Sequence, residues 1–290
     1  MLKPYPAKIL LFGEYTILSG SKALALPYWK LSGRWSFENN GSVAREESRH
    51  SLIAYVKSSQ ASSIDMDRLN KDLEDGLWFD SNIPHGFGLG SSGAVIAALY
   101  EHYGKPRGSF FEDAENLARL EDFFHGSSSG LDPFVSYVQK PLLIHSFKNV
   151  EVLSQDLNLD GFFLLNTGKP RQTGPLVNIY QEKMKDPEFK QGCANILAKE
   201  VNFAINSLIQ NDANNLFHHI WHISKFQWDF FPEMIPTKER ALWNKGIETG
   251  DYVLKLCGAG GGGFILGYSN KYNLQEMQKL LAGHELISLS

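Results

Sequence analysis

Cysteine is scarce in this chain of 290 residues: there are two, Cys193 and Cys257. They form neither a disulfide framework nor a metal-binding spacing, so a reduced, cytoplasmic setting is expected. No apolar run approaches the roughly 20 residues of a membrane-spanning helix. The start, Met1-Leu2-Lys3-Pro4-Tyr5-Pro6, lacks the layout of a signal peptide. Charge of one sign is not in excess either. Lysine and arginine number 28 against 32 aspartates and glutamates, for a net charge of −4. Such a balance provides no basic surface for nucleic acid or for an anionic membrane. Low-complexity tracts and repeats are missing, and so is the G-x-x-x-x-G-K-[ST] phosphate loop. Apolar residues, by contrast, make up 43% of the chain, enough for sizeable cores, and the length favours two domains.

Glycine is abundant and clustered. The stretch Ile83-Pro84-His85-Gly86-Phe87-Gly88-Leu89-Gly90-Ser91-Ser92-Gly93 follows an expected strand at Gly76–Ile83 and opens an expected helix at Ala94–Tyr103. Glycines at 86, 88 and 90 let backbone N–H groups approach an anion. The helix behind them adds the positive end of its dipole. Ser91 and Ser92 offer hydroxyls that cap the helix or reach a metal ion. Together these features describe a polyphosphate cradle; the plainer reading is a tight strand–helix turn with a serine cap. Gly88–Gly93 also fits G-x-G-x-x-G, the dinucleotide fingerprint. That pattern wants an acidic residue about 20 positions on, after a second strand. Glu112 and Asp113 stand near that distance but inside a helical pattern, which argues against a nicotinamide-dependent oxidoreductase.

Elsewhere, strands are expected at Lys8–Phe12, Ala23–Trp29, Leu31–Phe37, Leu142–Phe147, Val150–Leu153, Gly161–Asn166, Asp251–Leu256, Phe264–Tyr268 and Leu286–Leu289. A polar turn is expected over Asn39–Glu47. Helices are expected at Arg49–Ser59, Asp65–Glu74, Ser109–Phe124, from Asp132-Pro133 toward Val138, and at Leu176–Lys185, Cys193–Gln210, Ala213–Trp228, Pro236–Thr249 and Leu274–Ala282. Ser109 with Glu112 forms a capping-box pattern. The uneven alternation implies an α+β fold, with a domain change near Gln155–Asp160.

Five places carry candidate chemistry. Lys8 offers a point charge for a phosphate or a developing alkoxide, or is an edge-strand lysine facing water. Glu121 and His125 share one helix face; the carboxylate suits Mg²⁺, or the pair is a solvated helix end. Asp132 can accept or orient a hydroxyl proton, or it is an ordinary N-cap before Pro133. Arg171 can hold a carboxylate or phosphate, and Thr173 caps the next helix or supports the site. Finally, Gly258-Ala259-Gly260-Gly261-Gly262-Gly263 holds more glycine than a hairpin needs, which implies close packing on another backbone or a ligand. Trp221, Trp228, Phe230 and Phe231 are expected in packing rather than in a ligand cage.

The order and wording of these segments resemble one family. Pro6-Ala7-Lys8-Ile9-Leu10-Leu11-Phe12-Gly13-Glu14, Pro84 to Ser92, and Lys255-Leu256-Cys257-Gly258 to Gly263 are similar to the three motifs of the GHMP small-molecule kinases. Glu121 to Asp132 looks like the E-x3-H-G-x-x-S-G-x-D segment of the mevalonate kinases in that family. Asn166 to Thr173 is similar to their N-T-x-x-P-R-x-T stretch. The resemblance implies a two-domain α+β fold: a ribosomal protein S5 domain 2-like N-terminal domain over 1–157 and a ferredoxin-like C-terminal domain over 158–290, with the nucleotide between them. It implies ATP and Mg²⁺ as cofactors, with Pro84, Gly86, Gly88, Leu89, Gly90, Ser91, Ser92 and Gly93 around the phosphates and Ser92 and Glu121 on the metal. Asp132 is then the catalytic carboxylate and Lys8 its cationic partner. Glu14, Tyr15, His125, Ser129, Arg171 and Thr173 support the substrate, and Gly258, Gly260 and Gly261 form a structural loop. The implied reaction moves the γ-phosphoryl group of ATP to a small-molecule hydroxyl, foremost that of mevalonate, in a monomer or homodimer.

The chain departs from the family at Ala7, at Tyr15 where Gly-Glu-His is usual, at Ser127-Ser128 and at Gln139-Lys140. Phosphomevalonate, a sugar or homoserine therefore stay open as acceptors, as does a non-catalytic nucleotide-binding regulator.

Overall fold

The computed structural model describes residues 3–38, 43–58, 63–104, 109–125, 129–146 and 149–290, with backbone alone at 44, 56–58 and 123–125. It divides into two compact units, and neither is one continuous stretch. The first holds residues 1–9, 26–84 and 89–140; the second holds 10–25, 85–88 and 141–290.

Two strands run through both units. β1 is Tyr5–Phe12 and β2 is Ala23–Ser36. Two strands joined at Pro27–Lys30 were expected here, but β2 is unbroken. The strand runs through Pro27 because proline already has a φ compatible with extended backbone.

In the first unit the later part of β2 pairs antiparallel with β3 (Trp78–Ser81), from Gly33 opposite Ser81 to Ser36 opposite Trp78. Five helices complete it: α1 (Val43–Ser58), α2 (Met66–Glu74), α3 (Ser91–Tyr103), α4 (Phe110–His125) and α5 (Leu131–Val138). The polar turn expected at Asn39–Glu47 is helical from Val43; residues 39–42 lie outside the described residues. Local chemistry sets several boundaries. The Asp65 side chain accepts from Arg68 N–H to cap α2. At α4, Ser109 and Glu112 exchange the two hydrogen bonds of the expected capping box. α3 packs on α5 and on α4, and its buried face is almost continuous alanine, leucine and isoleucine.

In the second unit the first residues of β2 pair antiparallel with β4 (Leu142–Ser146), which pairs with β5 (Asn149–Val152). A separate antiparallel sheet has the order β7–β8–β6–β9, formed by Val253–Leu256, Phe264–Tyr268, Phe162–Asn166 and Leu286–Ser288. Phe162 faces Tyr268 and Asn166 faces Phe264 across β6 and β8. β7 and β8 are buried along their whole length, which is why they read as apolar runs, interrupted in β7 only by Lys255. Helices α6 (Thr173–Lys183), α7 (Pro187–Gly192), α8 (Ala198–Ile209), α9 (Ala213–Phe230), α10 (Arg240–Thr249) and α11 (Leu274–Leu280) accompany this sheet. The helix expected from Cys193 begins instead with one π-helical turn, Cys193–Leu197. Phe231 is fully buried, and Phe230, though 45% exposed, packs its ring on Phe226 at 4.5 Å, so both take the packing roles expected of them.

Neither cysteine is in a disulfide and both are buried, and burial pushes the Cys193 thiol up to about 11. Since the thiolate is the reactive form, the native protein should resist an aromatic disulfide reagent at pH 7.5. Both thiols should titrate at once in guanidinium chloride. Fast native titration would contradict the packing around Cys193.

Candidate active site

β1 is apolar on either side of Lys8, with Ala7, Ile9 and Leu11 buried. A charge in such a strand needs a partner. Lys8 is only 6% exposed, and its Nζ lies 2.5 Å from Asp132 Oδ1. The Asp132 side chain keeps 32% of its surface accessible. The pair is thus closed on the ammonium side and open on the carboxylate side. The alternative of an edge lysine facing water is excluded.

The ordinary N-cap role for Asp132 fails as well. Gly130 is the N-cap of α5, left-handed at φ +69°, and no side chain caps the helix. Asp132 is the second helical residue and Pro133 the third, not the first. The carboxylate is therefore available to Lys8. Ser136 Oγ donates to the Pro6 carbonyl at 2.8 Å and ties α5 to β1.

The glycine stretch meets this pair from the third side. The Lys8 N–H donates to the Leu89 carbonyl at 2.8 Å. Gly90, at φ +71°, is the N-cap of α3, again with no side-chain cap, so Ser91 and Ser92 are its first two residues rather than its caps. A Cβ on Gly90 would stand 3.3 Å from Asp132 Oδ2 and 3.4 Å from Lys8 Cβ. At Gly93 the approach is closer: a Cβ would lie 2.7 Å from the Asp132 carbonyl carbon and 2.8 Å from Pro133 N. The missing side chain at Gly93 is what lets α3 and α5 cross this tightly, and so fixes Asp132 against the loop.

Glu121 sits on the buried face of α4, 3% exposed. His125 ends α4 and its side chain lies outside the described residues. Ser129 is exposed just before α5, its hydroxyl 3.4 Å from the Leu131 N–H that it accepts. Sequence reasoning missed Asp113, which accepts from Tyr100 Oη (2.7 Å) and Tyr137 Oη (3.3 Å) and links α3, α4 and α5. Within the first unit, then, Lys8, Leu89, Gly90, Gly93 and Asp132 converge.

The second unit gathers a different set. Glu14 is buried, and its Oε1 accepts from Lys255 Nζ at 2.7 Å and from the Gly258 N–H at 3.4 Å. Burial pushes the Glu14 carboxyl up, against the opposing pull of Lys255. Lys255 was not singled out from the sequence. Its signal was the same as that of Lys8, a lone charge in an apolar strand. Tyr15 follows at φ +62°, a conformation that costs a non-glycine residue about 1–3 kcal/mol. Its hydroxyl donates to the Ala259 carbonyl at 2.9 Å, and its ring stacks on Tyr180 at 4.6 Å.

Arg171 joins two glycine stretches. Its N–H donates to the Gly86 carbonyl at 2.8 Å, and its guanidinium donates to the Cys257 carbonyl. A Cβ on Gly88 or on Gly258 would overlap that guanidinium. Gly263 lies against Phe87, where a Cβ would come within 2.6 Å of the Phe87 carbonyl oxygen. Gly261 donates its N–H to the Met234 carbonyl at 2.7 Å. The expected close packing of the 258–263 loop on another backbone is thus present. Thr173 is the first residue of α6 and does not cap it; Gln172 holds the cap position without a side-chain bond.

Residues 55–140 match the model of the GHMP kinases N terminal domain. A mevalonate kinase of Pyrococcus horikoshii is 26% identical over 294 residues, covering 91% of this chain and 87% of the relative. One of Thermococcus onnurineus is 30% identical over 166 residues, covering 48% of this chain and about half (49%) of the relative. The crystal structure of L. major mevalonate kinase in complex with R-mevalonate superposes with a TM-score of 0.68 at 16% identity, over 99% of both chains. The chain is similar to the GHMP kinases over residues 55–140 and has the fold of the solved mevalonate kinases. The α+β, two-domain GHMP kinase fold implied by the sequence motifs is therefore the fold that is present. In this fold two lysine-bearing strands, β1 with Lys8 and β7 with Lys255, each bury one ammonium against one carboxylate. The two pairs differ in exposure. The Glu14–Lys255 pair is shut off from solvent on both sides, whereas Asp132 remains reachable.

Proposed function

We propose that the protein is an ATP-dependent kinase that transfers the γ-phosphoryl group to the primary hydroxyl of mevalonate, giving 5-phosphomevalonate. The observation that carries this reading is the Lys8–Asp132 pair set against the bare backbone of Gly90 at the start of α3. Phosphoryl transfer needs positioning and charge neutralisation more than covalent help from the protein. An ammonium beside an accessible carboxylate suits a hydroxyl group. Asp132 accepts or orients its proton, and Lys8 stabilises the oxygen as negative charge gathers on it. The bond from that oxygen to the γ-phosphorus forms as the bond to the bridging β,γ-oxygen breaks, and the hydroxyl proton leaves through Asp132. Backbone amides of Gly88–Ser92 and the positive end of α3 hold the phosphates.

The Ser92 hydroxyl and the Glu121 carboxylate are hard oxygen donors and fit Mg²⁺, which takes few carboxylates and completes its shell with phosphate oxygens and water. Among the described residues no cluster of three or more Asp, Glu, His or Cys forms a dedicated metal cage, consistent with an ion shared with the nucleotide. Mg²⁺ bound there would neutralise charge on the β- and γ-phosphates. The names of the sequence relatives support mevalonate as acceptor. No helix among the described residues is long and apolar enough to cross a membrane, in keeping with a cytoplasmic enzyme of small-molecule substrates, monomeric or homodimeric.

An acceptor panel tests the reading. With MgATP, mevalonate should exceed phosphomevalonate, galactose and homoserine in kcat/KM by roughly a hundredfold or more, the discrimination available to a site that pairs with a substrate's polar groups. Preference for another member of the panel would replace the acceptor. Absence of ADP release with all of them would leave only a nucleotide-binding regulator.

A further inference from the structure

Tyr15 has an unusual backbone for its side chain, and contacts through its hydroxyl, its ring and its carbonyl hold it there. Its φ is +62°. Its hydroxyl donates to Ala259 O at 2.9 Å. Its ring stacks on Tyr180 at 4.6 Å and meets Phe231 edge-on at 5.8 Å. Its own carbonyl accepts from Tyr180 Oη at 3.3 Å and from the Leu18 N–H at 3.1 Å. A left-handed tyrosine persists only where its surroundings over-determine it. The element that Tyr15 grips is the second glycine loop, which has no side chains of its own to anchor it between Gly260 and Gly263. Glu14 grips the same loop one residue earlier, through the Gly258 N–H.

That loop in turn supports residues 85–88. Gly263 abuts the Phe87 backbone, the Phe87 and Phe264 rings lie 5.6 Å apart, and the Arg171 guanidinium fills the space over both Gly258 and Gly88. Residues 85–88 are the first half of the stretch assigned to the nucleotide phosphates.

We propose that Tyr15 is a positioning residue for the nucleotide: it fixes the Ala259 carbonyl, and through the second glycine loop and Arg171 it holds Gly86 and Gly88 in their phosphate-binding conformation. The Tyr15 hydroxyl is spent on the loop, at the Ala259 carbonyl. The proposal rests on the kinase reading above.

The test is Tyr15→Phe, which removes one hydroxyl and leaves the ring stack. Binding of a non-hydrolysable MgATP analogue is measured by calorimetry alongside the KM for each substrate and the melting temperature. Loss of one buried hydrogen bond to the loop should weaken analogue binding and raise KM for ATP by about three- to tenfold. The acceptor KM and the melting temperature should stay close to wild type. Tyr180→Phe, which loses the 3.3 Å bond to the Tyr15 carbonyl together with the 3.2 Å contact to Ser19 Oγ and leaves the Tyr15 hydroxyl bond in place, should give a smaller shift in the same direction. Unchanged analogue binding in Tyr15→Phe overturns the proposal, as does a change confined to the acceptor KM, since that would make Tyr15 a substrate contact. Wild-type protein that binds no analogue at all marks failure of the kinase reading itself, and is seen before any variant is compared.

Discussion

Asp132→Asn is expected to lower kcat by roughly 10² to 10⁴, the range for loss of a positioned acid–base group. Lys8→Met should cost roughly 10² to 10³, as for loss of one preorganised charge at a developing oxyanion. The amide is nearly the same size as the carboxylate, so Asp132→Asn leaves the α3–α5 crossing at Gly93 intact and removes only charge and basicity. KM for ATP should change little, because backbone amides and not these two side chains hold the phosphates. Because both residues act on the same oxygen, the double variant should be far less than additive. Steady-state kinetics at saturating acceptor decide the matter. Near wild-type turnover in either single variant would mean that the pair is a structural ion bridge and that the reacting oxygen lies elsewhere.

The largest loss of stability is expected from Lys255→Met. Glu14 and Lys255 are both almost fully buried and 2.7 Å apart. Removing one partner of a buried pair typically costs about 3–5 kcal/mol, because the other charge is stranded. For a protein of this size that is a fall in melting temperature on the order of 10 °C. The double variant Glu14→Gln, Lys255→Met should recover much of it, since no charge is then left uncompensated. The pH dependence has a definite sign. Burial raises the folded pKa of Glu14 above the ordinary 4.5, and without Lys255 nothing opposes that rise. Below pH 4.5 the carboxyl is protonated in both folded and unfolded chains and the burial penalty is absent. As pH climbs through the raised folded value, the unfolded chain ionises first and the folded state loses stability. The deficit of Lys255→Met relative to the double variant should therefore grow from about pH 4.5 upward. A deficit that is constant with pH, or that shrinks as pH rises, would show that Glu14 is not stranded as a charge in the folded single variant.

Much of this architecture was legible in the residues. Segments with strong periodicity or complete caps fell close to their expected places: β8 at Phe264–Tyr268 as expected, α4 with its Ser109–Glu112 box, α2 behind Asp65. The misreadings have physical causes. Two strands, Ala23–Trp29 and Leu31–Phe37, were expected where one continuous strand runs, because Lys30 lies between two apolar stretches although extended backbone passes through it. Asp132 and Thr173 were open to reading as caps because cap residues and site residues are the same types. Gly130 and Gln172 occupy those positions instead, and in neither case does a side chain supply the bond. The partner of each buried lysine was beyond sequence alone: Lys8 and Asp132 are 124 positions apart by their numbers, and Glu14 and Lys255 are separated by 241. Arg171 could be seen as a cation but not as the group that fills the space over two bare glycines, because that role exists only once distant backbone segments meet.

The chain changes unit after Ile9, Ala25, Pro84, Gly88 and Lys140. Neither half is therefore a contiguous fragment that could be cut out and expressed alone. During vectorial synthesis every piece of the first unit has left the ribosome once Lys140 is clear. Residues 23–25 find their partner once β4 follows, whereas residues 85–88 must wait for Arg171 and the 258–263 loop before their own surroundings exist. The early product is thus a chain with unsatisfied strand segments already exposed, and shortening it anywhere beyond Lys140 should yield insoluble material rather than a working amino-terminal piece.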